Sequence, residues 1–192
     1  MSTGNTHRCI FLDRDGVINE EVGYITEWPQ LKPIPSAVTA LGLLHDAGWK
    51  TIVITNQSAV ARGMMTEARL REIHARLLDN LCLDAIYYCP HYYNEGDVEI
   101  PPYRIACDCR KPGAGLIIKA AKEHAIDLSS SYMVGDRTSD ILAGKNAGLK
   151  TVLLNSGYGV KDLEFGIQPD YIFNDLLGFV KFLIQNSHFP AS

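Results

Sequence analysis

No apolar run in this sequence exceeds about seven residues, too short for a bilayer-spanning helix. The first nine residues, MSTGNTHRC, contain neither an apolar stretch nor a cleavage pattern, so no secretory leader is expected and the cytoplasm is the default location. Excess positive charge is also missing. Lys and Arg number 18 against 22 Asp and Glu, a net charge of −4, which gives no reason to expect a nucleic-acid or anionic-membrane partner. Any phosphate site must be positive locally. The five cysteines make an odd set in a chain too long for a small secreted domain. That argues against a disulfide framework and for thiols or metal ligands. There is no internal repeat and no low-complexity segment. What remains is ordinary for a globular protein: 46% apolar and 21% charged residues in a chain of 192. One α/β domain spanning 1–192 is expected, long enough to bury a core.

Short β-rich runs alternate with helical patterns. Cys9–Leu12, Thr51–Thr55, Ala85–Tyr88, Tyr132–Val134, Thr151–Leu154 and Tyr171–Phe173 read as strands, without the polar alternation of a one-sided sheet. Ser36 reads as an N-cap for a helix bearing Ala37, Ala40, Leu41 and Leu44, stopped by Gly48. Thr66 is positioned to cap a second helix bearing Leu70, Ile73, Leu77 and Leu78. Residues 114–125, 138–147 and Asp175–Gln185 give three more. Such alternation implies a parallel sheet between two helical layers, with the site beyond the C-terminal strand ends. Asp13, Thr55 and Asp136 each end or follow a predicted strand. Residues 89–109 form the one long irregular stretch and need a separate reason to be ordered.

Four motifs carry chemistry. In FLDRDGVIN (11–19) a strand runs into two carboxylates two residues apart, which are costly to crowd unless a cation lies between them. One of such a pair can serve as nucleophile and the other as general acid/base, while Gly16 lets the chain turn away. In ITNQS (54–58) the Thr55 hydroxyl and nearby N–H groups can bind phosphate oxygens, although Thr-Asn after a strand is by itself an ordinary turn. In RKP (110–112) Lys111 can neutralise a phosphoryl group and Arg110 can grip a second anion through two bonds. In VGDRTSD (134–140) Asp136 can complete a Mg²⁺ site with Asp13, and Asp140, one helical turn later, can hold Lys111. A fifth pattern is CPH (89–91) with CDC (107–109). Cys89, His91, Cys107 and Cys109 make a Cys₃His set sufficient for a closed tetrahedral zinc site that would pin the long loop. Four protein ligands leave no open position, so that zinc would be structural. Cys9 and Cys82 read as core thiols, and His7, His45, His74, His124 and His188 carry no motif.

Asp-x-Asp-Gly, Thr-Asn, Lys and Gly-Asp-x₃-Asp, in this order over about 130 residues, resemble the four signature motifs of the haloacid dehalogenase (HAD) superfamily. The resemblance implies a Rossmann-like three-layer fold and an aspartyl-phosphate mechanism. It makes Asp13 the nucleophile and Asp15 the general acid/base. Thr55 and Lys111 would hold the transferring phosphoryl group. Asp13, the backbone carbonyl of Asp15, and Asp136 would bind Mg²⁺. The acid at position 15 suits a phosphatase or mutase, whereas ATPases of the superfamily usually carry Thr there.

Within the superfamily, FLDRDGVIN, GYI, TNQS-x-x-ARG, YYCPH and CDCRKP are similar to the D-glycero-D-manno-heptose-1,7-bisphosphate 7-phosphatase family, up to about residue 160. The related histidinol-phosphate phosphatases carry a similar zinc loop with a shorter gap. Here 15 residues separate His91 from Cys107, and Arg-Lys follows CDC; both features favour the heptose family. That resemblance implies a phosphorylated sugar as substrate, in activated-heptose biosynthesis. It implies substrate contacts from Glu21, Val22, Gly23, Tyr24, Asn56, Gln57, Ser58, Arg110 and Arg137. It also implies a monomer with no large cap domain, a short insert and the zinc loop standing in for one. Ala59 stands where Gly is expected, and Met64 where Lys or Tyr is frequent. Besides a histidinol-phosphate phosphatase or other small HAD phosphatase, a zinc-stabilised binding module without activity is a further reading.

Overall fold

The computed structural model describes residues 6–93, 102–158, 162 and 164–186. Six strands form one parallel sheet: β1 (Cys9–Leu12), β2 (Lys50–Asn56), β3 (Ala85–Cys89), β4 (Tyr132–Gly135), β5 (Lys150–Leu154) and β6 (Tyr171–Phe173). Their spatial order is β3-β2-β1-β4-β5-β6. The chain therefore starts in the middle of the sheet, winds to one edge, and returns to the other flank of β1. The direction of winding reverses between β1 and β4, and the crevice above that reversal is where parallel sheets bind ligands. Leu12 is in register with both Val53 and Val134. The β1–β4 ladder runs one residue further, with Asp13 N–H donating to the Val134 carbonyl at 2.9 Å.

Five α-helices cover the sheet: α1 (Pro35–Asp46), α2 (Glu67–Asn80), α3 (Gly115–Glu123), α4 (Thr138–Asn146) and α5 (Leu176–Asn186). Strand residues alternate between two cores. Ile10, Leu12, Val53, Val134, Val152 and Leu154 pack with α1 and α5 through Leu41, Leu44, Phe179 and Val180. Cys9, Phe11, Ile52, Ile54 and Met133 pack with α3 and α4 through Leu116, Ile117, Ala143 and Ala147. Helix α2 closes a smaller core with Ile25 and Leu31, and Ile86 of β3 joins it to the first. Both sheet faces are thus covered, which is why the strands read as apolar runs.

The expected fold class holds: a three-layer α/β sandwich with a parallel central sheet. Several local expectations are corrected. Helix α1 is not capped by Ser36; its N-cap is Ile34, and Pro35 occupies the first turn, where its fixed φ and missing N–H cost nothing. Thr66 does cap α2, accepting from Arg69 N–H at 3.2 Å. Helix α3 ends two residues short of the expected 125 because Ala125 adopts φ 50°. Cys9 is a core thiol, but Cys82 is exposed. Of the expected zinc loop, residues 94–101 lie outside the described residues, as does His188.

Candidate active site and metal centres

The ends of β1, β2 and β4 bring Asp13, Thr55 and Asp136 to one place, where the segment before α3 adds Lys111 and the first turn of α4 adds Asp140. Lys111, 4% exposed, is the hub. Its Nζ lies 2.8 Å from Asp13 Oδ1 and 2.6 Å from Asp140 Oδ1, and it donates to the Ile54 carbonyl at 2.8 Å. Burial favours the neutral amine, but Asp13 and Asp140 outweigh it and raise the Lys111 pKa. The cation is therefore fixed at any working pH. Asp140 serves as its anchor, since its other oxygen accepts from Arg137 N–H at 3.0 Å at the start of α4.

Asp13 Oδ1 also accepts from Arg14 N–H at 2.7 Å. Asp15 lines the same cleft. Its carboxylate accepts from Arg14 Nε and Nη2 at 3.1 and 2.9 Å, Asn19 Nδ2 at 2.9 Å and Gln57 Nε2 at 3.0 Å. Burial opposes the charged form, yet Arg14, Asn19 and Gln57 prevail and lower the Asp15 pKa. Gln57 bonds Thr55 Oγ1 as well, at 2.9 Å. The acid/base candidate and the strand-end threonine are thereby joined through one amide.

Asp13, Asp136 and Asp140 bring ligating oxygens within 4.8 Å of one another, all buried. Asp136 Oδ1 is buried without a hydrogen-bond partner, while Oδ2 accepts from Tyr158 N–H at 2.8 Å. Burial, then the charges of Asp13 and Asp140, push Asp136 up to about 8. Asp140, fully buried beside Lys111 and Asp13, is pushed up to about 6. Crowded carboxylates with an orphaned oxygen fit a divalent cation, which removes the repulsion. An all-oxygen donor set suits Mg²⁺. Two glycines make room for Asp136. A Cβ on Gly16 (φ +77°) would lie 2.4 Å from its Oδ2, and one on Gly157 (φ +60°) 2.0 Å.

The second centre is built from β3 and the return of the long loop. Cys89, His91, Cys107 and Cys109 have ligating atoms within 4.8 Å of one another. Cys109 Sγ is 3.1 Å from both Cys89 Sγ and Cys107 Sγ, and His91 Nδ1 is 3.3 Å from Cys109 Sγ. A tetrahedron with Zn–S bonds of about 2.3 Å has edges of about 3.8 Å, so the cluster needs only a small expansion to admit zinc. Burial, then neighbouring sulfurs, raise the Cys89 thiol pKa, and Cys109 is pushed up to about 11. A bound cation reverses that penalty. The centre is tied on both sides to the loops that line the first centre. Gln57 N–H donates to the Cys89 carbonyl at 2.8 Å, and Arg110 and Lys111 follow Cys109 directly. Tyr103 of the returning segment donates to Glu67 at 2.7 Å, which ties it to α2.

A cleft of about 900 Å³ opens over the first centre. Asp13, Asp15, Glu21, Gly23, Tyr24, Thr55, Asn56, Gln57, Ser58, Arg110, Lys111 and Arg137 all line it, whereas Val22 is exposed and does not. Burial raises the Glu21 pKa. Arg137 lies over the Tyr158 ring at 3.6 Å. Arg110 lies 5.0 Å from the Tyr92 centroid, with Nη1 donating to the His91 carbonyl at 3.2 Å. Asn56 gives its amide to the Lys111 backbone. Ala59 is buried in the cleft wall, and Met64 is exposed outside it. Sequence reasoning missed Gly157 and Tyr158, which hold Asp136, and the Arg14–His74 pair. A histidine inside the apolar stripe of α2 was the available signal for the latter.

This arrangement agrees with the relatives of the chain. A "HAD-hydrolase-like" family model matches residues 108–179. D-glycero-D-manno-heptose-1,7-bisphosphate 7-phosphatase of Thermosynechococcus vestitus is 39% identical over 185 residues, covering 91% of this chain and 94% of that protein. The chain belongs to the heptose-bisphosphate phosphatase family of HAD-like hydrolases. The Escherichia coli member is 39% identical over 174 residues, covering 88% of this chain and 89% of its own. A crystal structure of the D,D-heptose 1,7-bisphosphate phosphatase of B. bronchiseptica, complexed with magnesium and phosphate, superposes with a TM-score of 0.80. It is 32% identical and covers 93% of this chain and 99% of that one.

Proposed function

We propose that the chain is a Mg²⁺-dependent phosphatase that removes the 7-phosphate of D-glycero-D-manno-heptose 1,7-bisphosphate in activated-heptose biosynthesis. The observation that carries the reading is the buried group of Asp13, Lys111, Asp136 and Asp140 at the β1/β4 crevice, in a chain 39% identical to a phosphatase of that name over 91% of its length. The Asp13 carboxylate attacks phosphorus, and the P–O bond to the sugar breaks. Asp15 gives the departing oxygen a proton. It then takes a proton from the water that hydrolyses the aspartyl-phosphate, restoring both residues. The Arg14 pair keeps Asp15 ionised at rest, as the second half requires. An approaching phosphate dianion favours its protonation for the first. Thr55 and Lys111 hold the phosphoryl oxygens, with Lys111 supplying the charge that the transition state needs. Asp13, the Asp15 carbonyl and Asp136 would hold Mg²⁺, which would neutralise charge on the phosphoryl oxygens.

Zinc on Cys89, His91, Cys107 and Cys109 is structural in this reading, fixing the loop that ends in Arg110 and Lys111. Glu21, Gly23, Tyr24, Asn56, Gln57, Ser58 and Arg137 shape the sugar site, with Val22 at its margin. We read residues 1–192 as one domain with the 89–109 loop inserted. It acts as a monomer, since one chain supplies every group named, and in the cytoplasm, where three thiols stay reduced. Among the described residues no helix is long and apolar enough to cross a membrane. The test is kcat/KM on both anomers of the heptose bisphosphate, on fructose 1,6-bisphosphate and on histidinol phosphate. The highest value is expected with the heptose bisphosphate; preference for histidinol phosphate overturns the assignment.

A further inference from the structure

Between the two aspartates of the first motif stands an arginine that solvent scarcely reaches. Arg14 is 1% exposed. A guanidinium carries five N–H donors and no acceptor, so its burial requires partners on every side. Nε donates to Asp15 Oδ1 at 3.1 Å, and Nη2 donates to both Oδ1 and Oδ2 at 2.9 Å. On the opposite edge Nη1 lies 3.1 Å from Nε2 of His74. His74 sits in α2, 4% exposed, with its ring tilted against Tyr88 at a centroid distance of 5.3 Å. Because the guanidinium can only donate, Nε2 must accept, and the ring proton belongs on Nδ1. Burial, then the Arg14 charge, push His74 down to about 3, so the imidazole stays neutral. The ring is thus a fixed lone pair, neither acid nor base. It does not line the cleft and belongs to neither metal cluster.

We propose that His74 is a positioning residue for phosphoryl transfer. Its Nε2 lone pair sets the rotation of the Arg14 guanidinium, and the far edge of that guanidinium fixes the plane of the Asp15 carboxylate facing the cleft. Asn19 holds Oδ1 and Gln57 holds Oδ2, each through a single nitrogen, whereas the planar Arg14 guanidinium contacts both oxygens itself. That contact across both oxygens ties the carboxylate plane to the guanidinium. The inference rests on the reading of Asp15 as the general acid/base.

The experiment compares two leaving groups. A sugar phosphate expels an alkoxide and needs a proton; p-nitrophenyl phosphate expels a stable phenolate and does not. Because kcat/KM reports steps only up to leaving-group release, it isolates the acid half of the cycle. His74→Leu should lower kcat/KM for the heptose bisphosphate about 10–100-fold, the range for a slightly misplaced acid. For p-nitrophenyl phosphate the change should stay below about threefold. His74→Gln, whose amide oxygen can reach the place of Nε2, should recover most of the loss. If thermal unfolding shows that the leucine variant does not fold, His74→Asn, with an acceptor too short to reach Arg14, should discriminate in the same way. Equal losses on the two substrates, no loss on either, or no recovery with glutamine overturn the proposal. Asp15→Asn run in parallel separates the two readings. If it discriminates and the His74 variants do not, the positioning role alone fails; if it spares both substrates, the acid/base role fails.

Discussion

Asn56 and Lys111 hold each other as two paired strands would, although they lie 55 positions apart. Asn56 Nδ2 donates to the Lys111 carbonyl at 3.1 Å, and Lys111 N–H donates to Asn56 Oδ1 at 3.0 Å. A side chain at the end of β2 thereby fixes the backbone that carries the active-site cation. Asn56→Asp keeps the acceptor but sets an oxygen against the Lys111 carbonyl. It should lower kcat about 10–100-fold with a smaller change in KM, since misplacement rather than lost affinity is the damage. Asn56→Asp with kcat unchanged would remove this role.

The covalent mechanism makes a sharper demand. Asp13→Asn should abolish turnover while the protein remains folded. Asp15→Asn should cost at least the roughly 10²–10⁴-fold expected of a general acid/base. Quench of an Asp15→Asn reaction with labelled substrate should trap phosphate on the protein; a folded Asp13→Asn variant with near-normal kcat would falsify the assignment.

Arg110 extends from the zinc loop into the cleft, already anchored on the His91 carbonyl. That fixed guanidinium is suited to a distal phosphate. Charge-assisted bonds of this kind contribute roughly 1.5–3 kcal/mol, or about 10–150-fold in kcat/KM. Arg110→Ala should lose about that factor on the bisphosphate and little on a sugar monophosphate, whereas Lys111→Ala should damage both. Matching losses on both substrates for Arg110→Ala would show that the residue serves the chemistry or the loop instead.

Elemental analysis of protein purified without added metal should find about one zinc per chain. Cys107→Ser should lose the zinc and lower the unfolding temperature, because ligand binding and local folding are linked. Activity should fall with it, since Lys111 lies two residues beyond Cys109. The Tyr103–Glu67 bond should limit the unfolding to the loop. Full activity in a zinc-free variant would show that the loop holds its shape unaided.

His74 also predicts a pH dependence of stability. Its folded pKa, about 3, lies below the usual value of 6.5, so the unfolded chain binds its proton first. The neutral folded form is therefore penalised as pH falls below 6.5, by up to about 1.4 kcal/mol per pH unit. Between pH 7 and 5, wild type should lose about 2 kcal/mol more stability than His74→Gln. Urea denaturation at the two values measures it, and parallel losses would show that His74 titrates normally in the fold.

Strand ends were the legible part of the sequence. Asp13, Thr55 and Asp136 each follow an apolar run, and the parallel sheet brings such ends to one edge whatever else the chain does. The Cys₃His set was legible because ligand chemistry is written in residue type. Less visible were groups whose role depends on the backbone. Tyr158 holds Asp136 through its N–H, which every residue but proline offers, and only Gly157 before it marks the close approach. His74 stands with Leu70, Ile73 and Leu77 on the buried stripe of α2, where a histidine passes for core. Asn56 looked like part of a ligand loop because its partner is a main chain 55 residues away.

The strand order has a consequence for synthesis. β1 is made first but lies at the centre of the sheet, and its second neighbour, β4, starts at residue 132. While the chain leaves the ribosome, β1, β2 and β3 can pair, yet one edge of the apolar segment CIFL stays open for the translation of more than a hundred further residues. An open strand edge is a template for pairing with other chains. The nascent protein is therefore most exposed to aggregation before β4 emerges, and Asp136 joins Asp13 only when that edge closes.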